Sequence, residues 1–137
     1  MLQLDEILKK SVVYYKPLAD IKRIVFETEI QETTCVVPES QITLLFGNLI
    51  GNAIKYSSPR SKITISLKAR VLTIKDEGIG IEVDKQKEIF EKFKRGTDYA
   101  GGFGVGLNIV KSICDEHSIK IELDSTLGVG TEFRLYL

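Results

Sequence analysis

The shortages in this 137-residue chain bound the problem before any motif does. Net charge is absent: Lys+Arg and Asp+Glu number 19 each. The surface as a whole therefore has no field to draw it to nucleic acid or an anionic membrane, and any anion site has to be local. Cysteine is scarce, and Cys35 and Cys114 lie far apart with no CxxC or metal-ligand spacing. They read as small buried hydrophobes in a reducing compartment. Long apolar runs are missing, which excludes a membrane span. The opening MLQLDEILKK carries acidic residues and no apolar run, which excludes a signal peptide. There are no repeats, linkers or low-complexity tracts. What remains is ordinary, 43% hydrophobic and 28% charged. It describes one globular domain with core enough to fold without staples.

Hydrophobic spacing at Leu4, Ile7, Leu8, Val12 and Tyr15 predicts a helix over 4–20, which Pro17 should end. Strands are predicted over 22–30 and 34–38, the second stopped by Pro38. A helix should follow over 39–57. Residues 62–77 alternate as two strands about a very tight turn near Ala69 and Arg70. A helical turn or two carrying Ile89, Phe90 and Phe93 is expected over 84–95, then a mobile glycine-dense segment over 96–106. A helix over 105–117 and strands over 119–124 and 131–137 close the chain. Strands arriving in pairs between helices predict an α+β fold. The economical form is a two-layer sandwich, a mixed sheet of about five strands covered on one face by three helices.

Four stretches carry chemistry. In FGNLIGNAIKYS (46–57), wound at about 100° per residue, Asn48, Asn52 and Lys55 fall within roughly 60° of one another. Beside them Leu45, Phe46, Leu49 and Ala53 form a core face. Asparagine competes for backbone hydrogen bonds inside a helix, so two of them four apart suggest a task. In IKDEGIGI (74–81) a strand delivers Asp76 to its end, followed by Gly78 and Gly80. A carboxylate there can accept from an exocyclic amine such as adenine's, and the glycines let a ligand approach the backbone. Plain turn chemistry is the competing reading. In GGFGVGLNIVKSIC (101–114) glycines run into a helix with Leu107, Ile109, Val110 and Ile113 on its apolar side. Such an N-terminus suits phosphate, although no βαβ unit surrounds it and no Lys-Ser/Thr closes it. In LGVGTEFRLYL (127–137) the glycines mark a hairpin turn that brings Thr131 toward Asp76.

Taken in order, Asn-x3-Asn-Ala-x2-Lys-Tyr-Ser, Asp-x-Gly-x-Gly, Phe-x2-Phe, Gly-x-Gly-x-Gly-Leu and Gly-x-Gly-Thr resemble the catalytic and ATP-binding domain of sensor histidine kinases. That domain belongs to an ATPase superfamily shared with gyrase B subunits, a class of heat-shock chaperone and mismatch-repair proteins. The resemblance covers essentially the whole chain and implies a two-layer sandwich of the Bergerat type, binding ATP with Mg²⁺ under a lid.

Residue by residue, it implies that Asn52 ligates the metal, Asn48 faces the phosphates and Lys55 supplies compensating charge. Tyr56 would border the nucleotide. Asp76, aided by Thr131, would accept from the adenine amino group, with Gly78, Gly80 and Ile81 close to the base. Phe90 and Phe93 would anchor a lid over 94–103, from which Arg95 and Lys92 reach phosphate. Gly102, Gly104, Val105, Gly106 and Leu107 would form the lid's far hinge and the phosphate-facing helix start. Asn48, Lys55 and Arg95 would be the catalytic residues.

The resemblance further implies transfer of the γ-phosphoryl group to a histidine on a separate dimerising helical hairpin, then relay to a response regulator. It implies a monomeric fragment of a homodimeric parent, a cytoplasmic domain of a protein anchored in the membrane, and no nucleic-acid partner. His117, the sole histidine, matches one that such domains carry at a helix end and is not the expected acceptor. Leu44 and Phe103 depart from the pattern and keep open a nucleotide-sensing module that transfers no phosphate. An anti-sigma-factor-type serine kinase is the other alternative, and the Lys-Tyr pair and the Phe pair speak against it.

Overall fold

The computed structural model describes residues 2–81 and 103–137, the side chains of 103–106 excepted. The expected helical turns over 84–95, Phe90, Lys92, Phe93, Arg95, Gly102 and the lid lie outside the described residues. Along the chain run β1 (Leu2–Gln3), α1 (Leu4–Ile21), β2 (Val25–Ile30), β3 (Thr34–Cys35) and α2 (Glu39–Tyr56). Then follow β4 (Lys62–Lys68), β5 (Val71–Lys75), α3 (Phe103–Glu116), β6 (Lys120–Thr126) and β7 (Gly130–Tyr136).

Five strands form one sheet in the order β2-β4-β5-β7-β6. The β2–β4 pair is parallel and the other three pairs are antiparallel, so the sheet is mixed as the strand pairs predict. Period-two patterning gives it one wet and one dry face. Ile63, Ile65, Leu67, Leu72, Ile74, Phe133 and Leu135 are buried on the dry side. Their strand neighbours Thr64, Ser66, Thr73 and Arg134 align on the other.

The three helices among the described residues cover the dry face, α2 lying between α1 and α3 and packing on both. Leu45, Phe46, Leu49 and Ala53 of α2 are all buried, as the helical spacing requires, and Phe46 is among the largest fully buried side chains. Truncating such a residue to alanine costs about 3–5 kcal/mol. The β4–β5 turn is tight because Ala69 and Arg70 both take positive φ, 51° and 63°. That is the pair of angles a two-residue hairpin loop demands.

Two expectations change. The strand foreseen over 34–38 shrinks to Thr34–Cys35 and pairs with β1 in a separate two-stranded sheet. Pro17 does not end α1, which runs on to Ile21. Proline removes the donor that would reach the Val13 carbonyl, but Val13 is 71% exposed, so water can take that bond. The true stop is Arg23, at φ 60°. The Ile24 N–H reaches back to the Ala19 carbonyl at 2.9 Å and the Arg23 N–H to that of Asp20 at 2.9 Å. This is a left-handed helix cap, with buried Ile24 and Ala19 beneath it.

Candidate nucleotide site

Backbone hydrogen bonds stitch the last turn of α2 to the turn that follows β5. The Ile79 N–H donates to the Tyr56 carbonyl at 3.2 Å, and Ser57 and Gly78 form an isolated antiparallel bridge. Across the chain the Lys22 ammonium donates to the carbonyls of Ile54, Lys55 and Ser57 at 2.8, 3.0 and 2.9 Å. These acceptors belong to the negative end of α2, where a cation is favoured. The end of the helix bearing Asn52, Lys55 and Tyr56 is thereby fixed against the segment bearing Asp76.

The glycines of that segment answer to the protein's own backbone. A Cβ on Gly78 would stand 2.1 Å from the Tyr56 carbonyl oxygen. One on Gly80, at φ +72°, would stand 2.2 Å from that of Thr126.

Asp76 leaves the end of β5 nearly inaccessible, 8% exposed. Its Oδ1 accepts from the N–H of Gly78 at 2.9 Å and of Thr131 at 3.2 Å. Its own N–H donates to the Thr131 carbonyl at 2.8 Å. Among the described residues nothing bonds Oδ2. Desolvation pushes the carboxyl up to about 6, against the pull of the two backbone donors. Sequence reading places Thr131 beside Asp76, and the structure brings them together. The Thr131 hydroxyl, however, lies 2.8 Å from Ser125 Oγ, and Ser125 Oγ also accepts from the Ile81 N–H at 2.8 Å. Sequence reading missed Ser125, a lone serine before a glycine turn with no local signal. A cavity of about 400 Å³ at these strand ends is lined by Asp76, Ser125, Gly130 and Thr131.

On α2 the Asn48 amide N–H₂ donates back to the Leu44 carbonyl at 2.8 Å. The Asn52 amide nitrogen is buried and has no partner among the described residues. The Lys55 ammonium stands 5.4 Å from the Tyr56 ring centroid. Asn48 and Leu44 border a cavity of about 650 Å³ between α1 and α2, with Ile7, Lys10, Tyr14 and Tyr15 opposite. Gly47 lines it too, and Tyr15 lies over two mid-helix glycines: a Cβ on Gly47 would meet its hydroxyl at 2.9 Å and one on Gly51 its ring at 3.8 Å.

Helix α3 starts at Phe103, so Gly104, Val105 and Gly106 fall within its first turn. Leu107 is buried. Next to it Asn108 Oδ1 is buried without a partner among the described residues. The clue that singles out Asn48 and Asn52, a polar amide in an amphipathic helix, applies to Asn108 too. His117 bonds Gln41 at the start of α2, far along α3 from its glycine-rich beginning. Burial raises the Cys114 thiol to about 11, consistent with an inert core residue.

Residues 38–137 match the family of histidine kinase-, DNA gyrase B- and HSP90-like ATPases, and the chain belongs to it. Its similarities narrow further to sensor kinases. It is 30% identical over 138 residues to the heme sensor protein HssS of Staphylococcus saprophyticus, covering 98% of this chain and 30% of that protein. It is 34% identical over 140 residues to the sensor-like histidine kinase SenX3 of Mycolicibacterium smegmatis, covering 96% of this chain and 36% of that one. The chain thus spans about a third of these relatives. In fold it resembles the mycobacterial sensor histidine kinase MprB, with a TM-score of 0.81 at 24% identity over 98% of this chain and 93% of that one.

Proposed function

We propose that this chain is the ATP-binding catalytic domain of a sensor histidine kinase, delivering the γ-phosphoryl group to a histidine on a separate helical hairpin. The bond from γ-phosphorus to ADP breaks as one to the acceptor imidazole nitrogen forms, and catalysis of such transfers is mostly positioning and charge compensation. The observation that carries the reading is Asp76, a buried carboxylate with one oxygen held by two backbone donors and nothing among the described residues on the other. That is the arrangement for accepting from an adenine amino group. Asn48, Lys55 and Tyr56 would face the phosphates and ribose, and Arg95 would add charge from its own segment. The chemistry of Asn52 fits Mg²⁺: the ion takes hard oxygen donors and keeps most of its shell for phosphate and water. The Asn52 side-chain carbonyl oxygen is a donor of that kind, suited to serve as a single protein ligand. When bound, the ion would neutralise phosphate charge. The acceptor hairpin, a homodimeric membrane-anchored parent and a cognate response regulator complete the proposal.

The test is transfer from γ-labelled ATP. The chain alone should take up no label and should label the parent's histidine hairpin when that is added. Asn52→Ala should abolish the reaction and His117→Ala should leave it intact. Label on the chain alone that vanishes in His117→Ala would overturn the placement of the acceptor.

A further inference from the structure

We propose that the cavity between α1 and α2 is a second ligand site, taking a small neutral aromatic molecule with one hydrogen-bonding group and coupled through Asn48 to the nucleotide end. The coupling rests on the reading of Asn48 as a phosphate-facing residue, and the site itself does not.

The cavity, about 650 Å³, is of the size that holds small ligands. Its α1 wall is the stripe Ile7, Ser11 and Tyr15, spaced four apart on one helix face. Ser11 is only 7% exposed, and a polar side chain so deeply placed is ordinarily hydrogen-bonded. Its hydroxyl has no partner among the described residues, and neither has that of Tyr15. Gly47 on the α2 wall leaves room for the Tyr15 hydroxyl, which a Cβ there would meet at 2.9 Å.

Apolar surface stands open beside these hydroxyls. Tyr14 and Leu44 line the cavity and are 74% and 47% exposed. Water can serve the hydroxyls. A ligand that reproduces one of those bonds and also covers Ile7, Leu44 and Tyr14 adds apolar burial that water cannot give. The Tyr14 and Tyr15 rings stand edge to face, centroids 5.0 Å apart at 79°, a setting that favours a further flat ring. Lys10 and Glu39 face the cavity from opposite helices with opposite charges, so no net field there selects an ion. The chemistry that fits is a ring bearing one hydroxyl, the phenol class.

The Asn48 amide donates to the Leu44 carbonyl at 2.8 Å, and both residues border the cavity. A ring seated against Leu44 therefore bears on the turn that orients Asn48, and so on the nucleotide.

The experiment titrates p-cresol, and toluene as the same ring without its hydroxyl, into the nucleotide-free chain while backbone amides are followed by NMR. p-Cresol should saturate with a Kd of about 1 mM or tighter, moving the amides of Ser11, Tyr15, Thr43 and Gly47. Toluene should bind about tenfold more weakly. Ser11→Ala should bring the two probes within about threefold of each other. Leu44→Glu, a change at an exposed position, should bind neither. No saturable shift at these amides, or a Leu44→Glu chain that binds p-cresol as wild type does, would overturn the site. Equal affinities for the two probes in wild type would overturn the phenol class. Saturating p-cresol should change the Mg·ATP affinity by about threefold or more, and ATP should change the p-cresol affinity by the same factor. An unchanged ATP affinity would overturn the coupling. ATP binding that Asn48→Ala leaves intact would instead overturn the phosphate-facing reading of Asn48, with the cavity's own ligand still seen in the p-cresol titration.

Discussion

The Lys22 ammonium lies 2.8 Å from the carbonyl oxygen of Ile54, 32 residues along the chain, and closes the last turn of α2 from outside. Replacing it by methionine keeps the stem and removes three charge-assisted bonds from the helix end. The expected loss is about 1–3 kcal/mol. Urea unfolding of Lys22→Met checks it, and a change below about 0.5 kcal/mol, the usual scatter of surface substitutions, would refute the cap.

Asp76 predicts a trade of stability for recognition. Its carboxyl titrates at about 6, above the ordinary 3.8, because burial disfavours the charge. The native state holds that proton longer than the unfolded chain does, so this group's contribution falls as pH rises from about 4 to about 6 and is flat above. A shift of about two units corresponds to roughly 3 kcal/mol. Asparagine keeps an oxygen for Gly78 and Thr131 and carries no charge. Asp76→Asn should therefore match wild type near pH 4 in denaturant unfolding and exceed its stability at pH 7.5, while losing most preference for adenine. Parallel pH profiles for the two proteins would contradict this.

Two glycines with positive φ should respond differently to alanine. Gly80→Ala meets the Thr126 carbonyl at 2.2 Å, whereas a Cβ on Gly128, at φ +83°, has nothing within 4 Å. Gly128→Ala should cost about 1–2 kcal/mol for the left-handed backbone alone. Gly80→Ala should cost clearly more, on the order of 3 kcal/mol or beyond. Equal losses in thermal unfolding would show that the carbonyl moves aside.

The glycine stripe of α2 gives a conditional prediction. Alanine at Gly47 gains up to about 1 kcal/mol in helix propensity, and it also meets the Tyr15 hydroxyl at 2.9 Å. Gly47→Ala should be near neutral in the wild type and stabilising in a Tyr15→Phe background. A double-mutant cycle reads the coupling, and strict additivity would argue against the contact.

Local periodicity made much of this legible. The core face of α2 follows from the spacing of Leu45, Phe46, Leu49 and Ala53, and the dry face of the sheet from alternation in β4, β5 and β7. Asp76 and Thr131 were paired through motif order, and their main chains do meet. What escaped has a common cause: it depends on partners distant in sequence or on backbone angles ordinary residues disguise. Arg23 caps α1 and Ser118 sits at φ 56° beyond α3, both in a conformation that glycine would have advertised. Pro17 looked like a stop because the exposure of Val13 is invisible in sequence. Lys22, Ser125 and Tyr15 act across 32, 44 and 32 positions, on Ile54, Ile81 and Gly47, and none carries a local signature.

The parallel ladder between β2 and β4 bears on where this domain begins. The family match opens at residue 38, after β2, yet Val25–Ile30 pairs along Lys62–Leu67. Cutting at that boundary would leave β4 a bare sheet margin, with unpaired amides and carbonyls offered to any passing strand. The same cut would strip Tyr15 and Lys22 from α2. In this chain the first 37 residues therefore carry the strand that covers that border, masking an adhesive edge that the matched span alone would leave open.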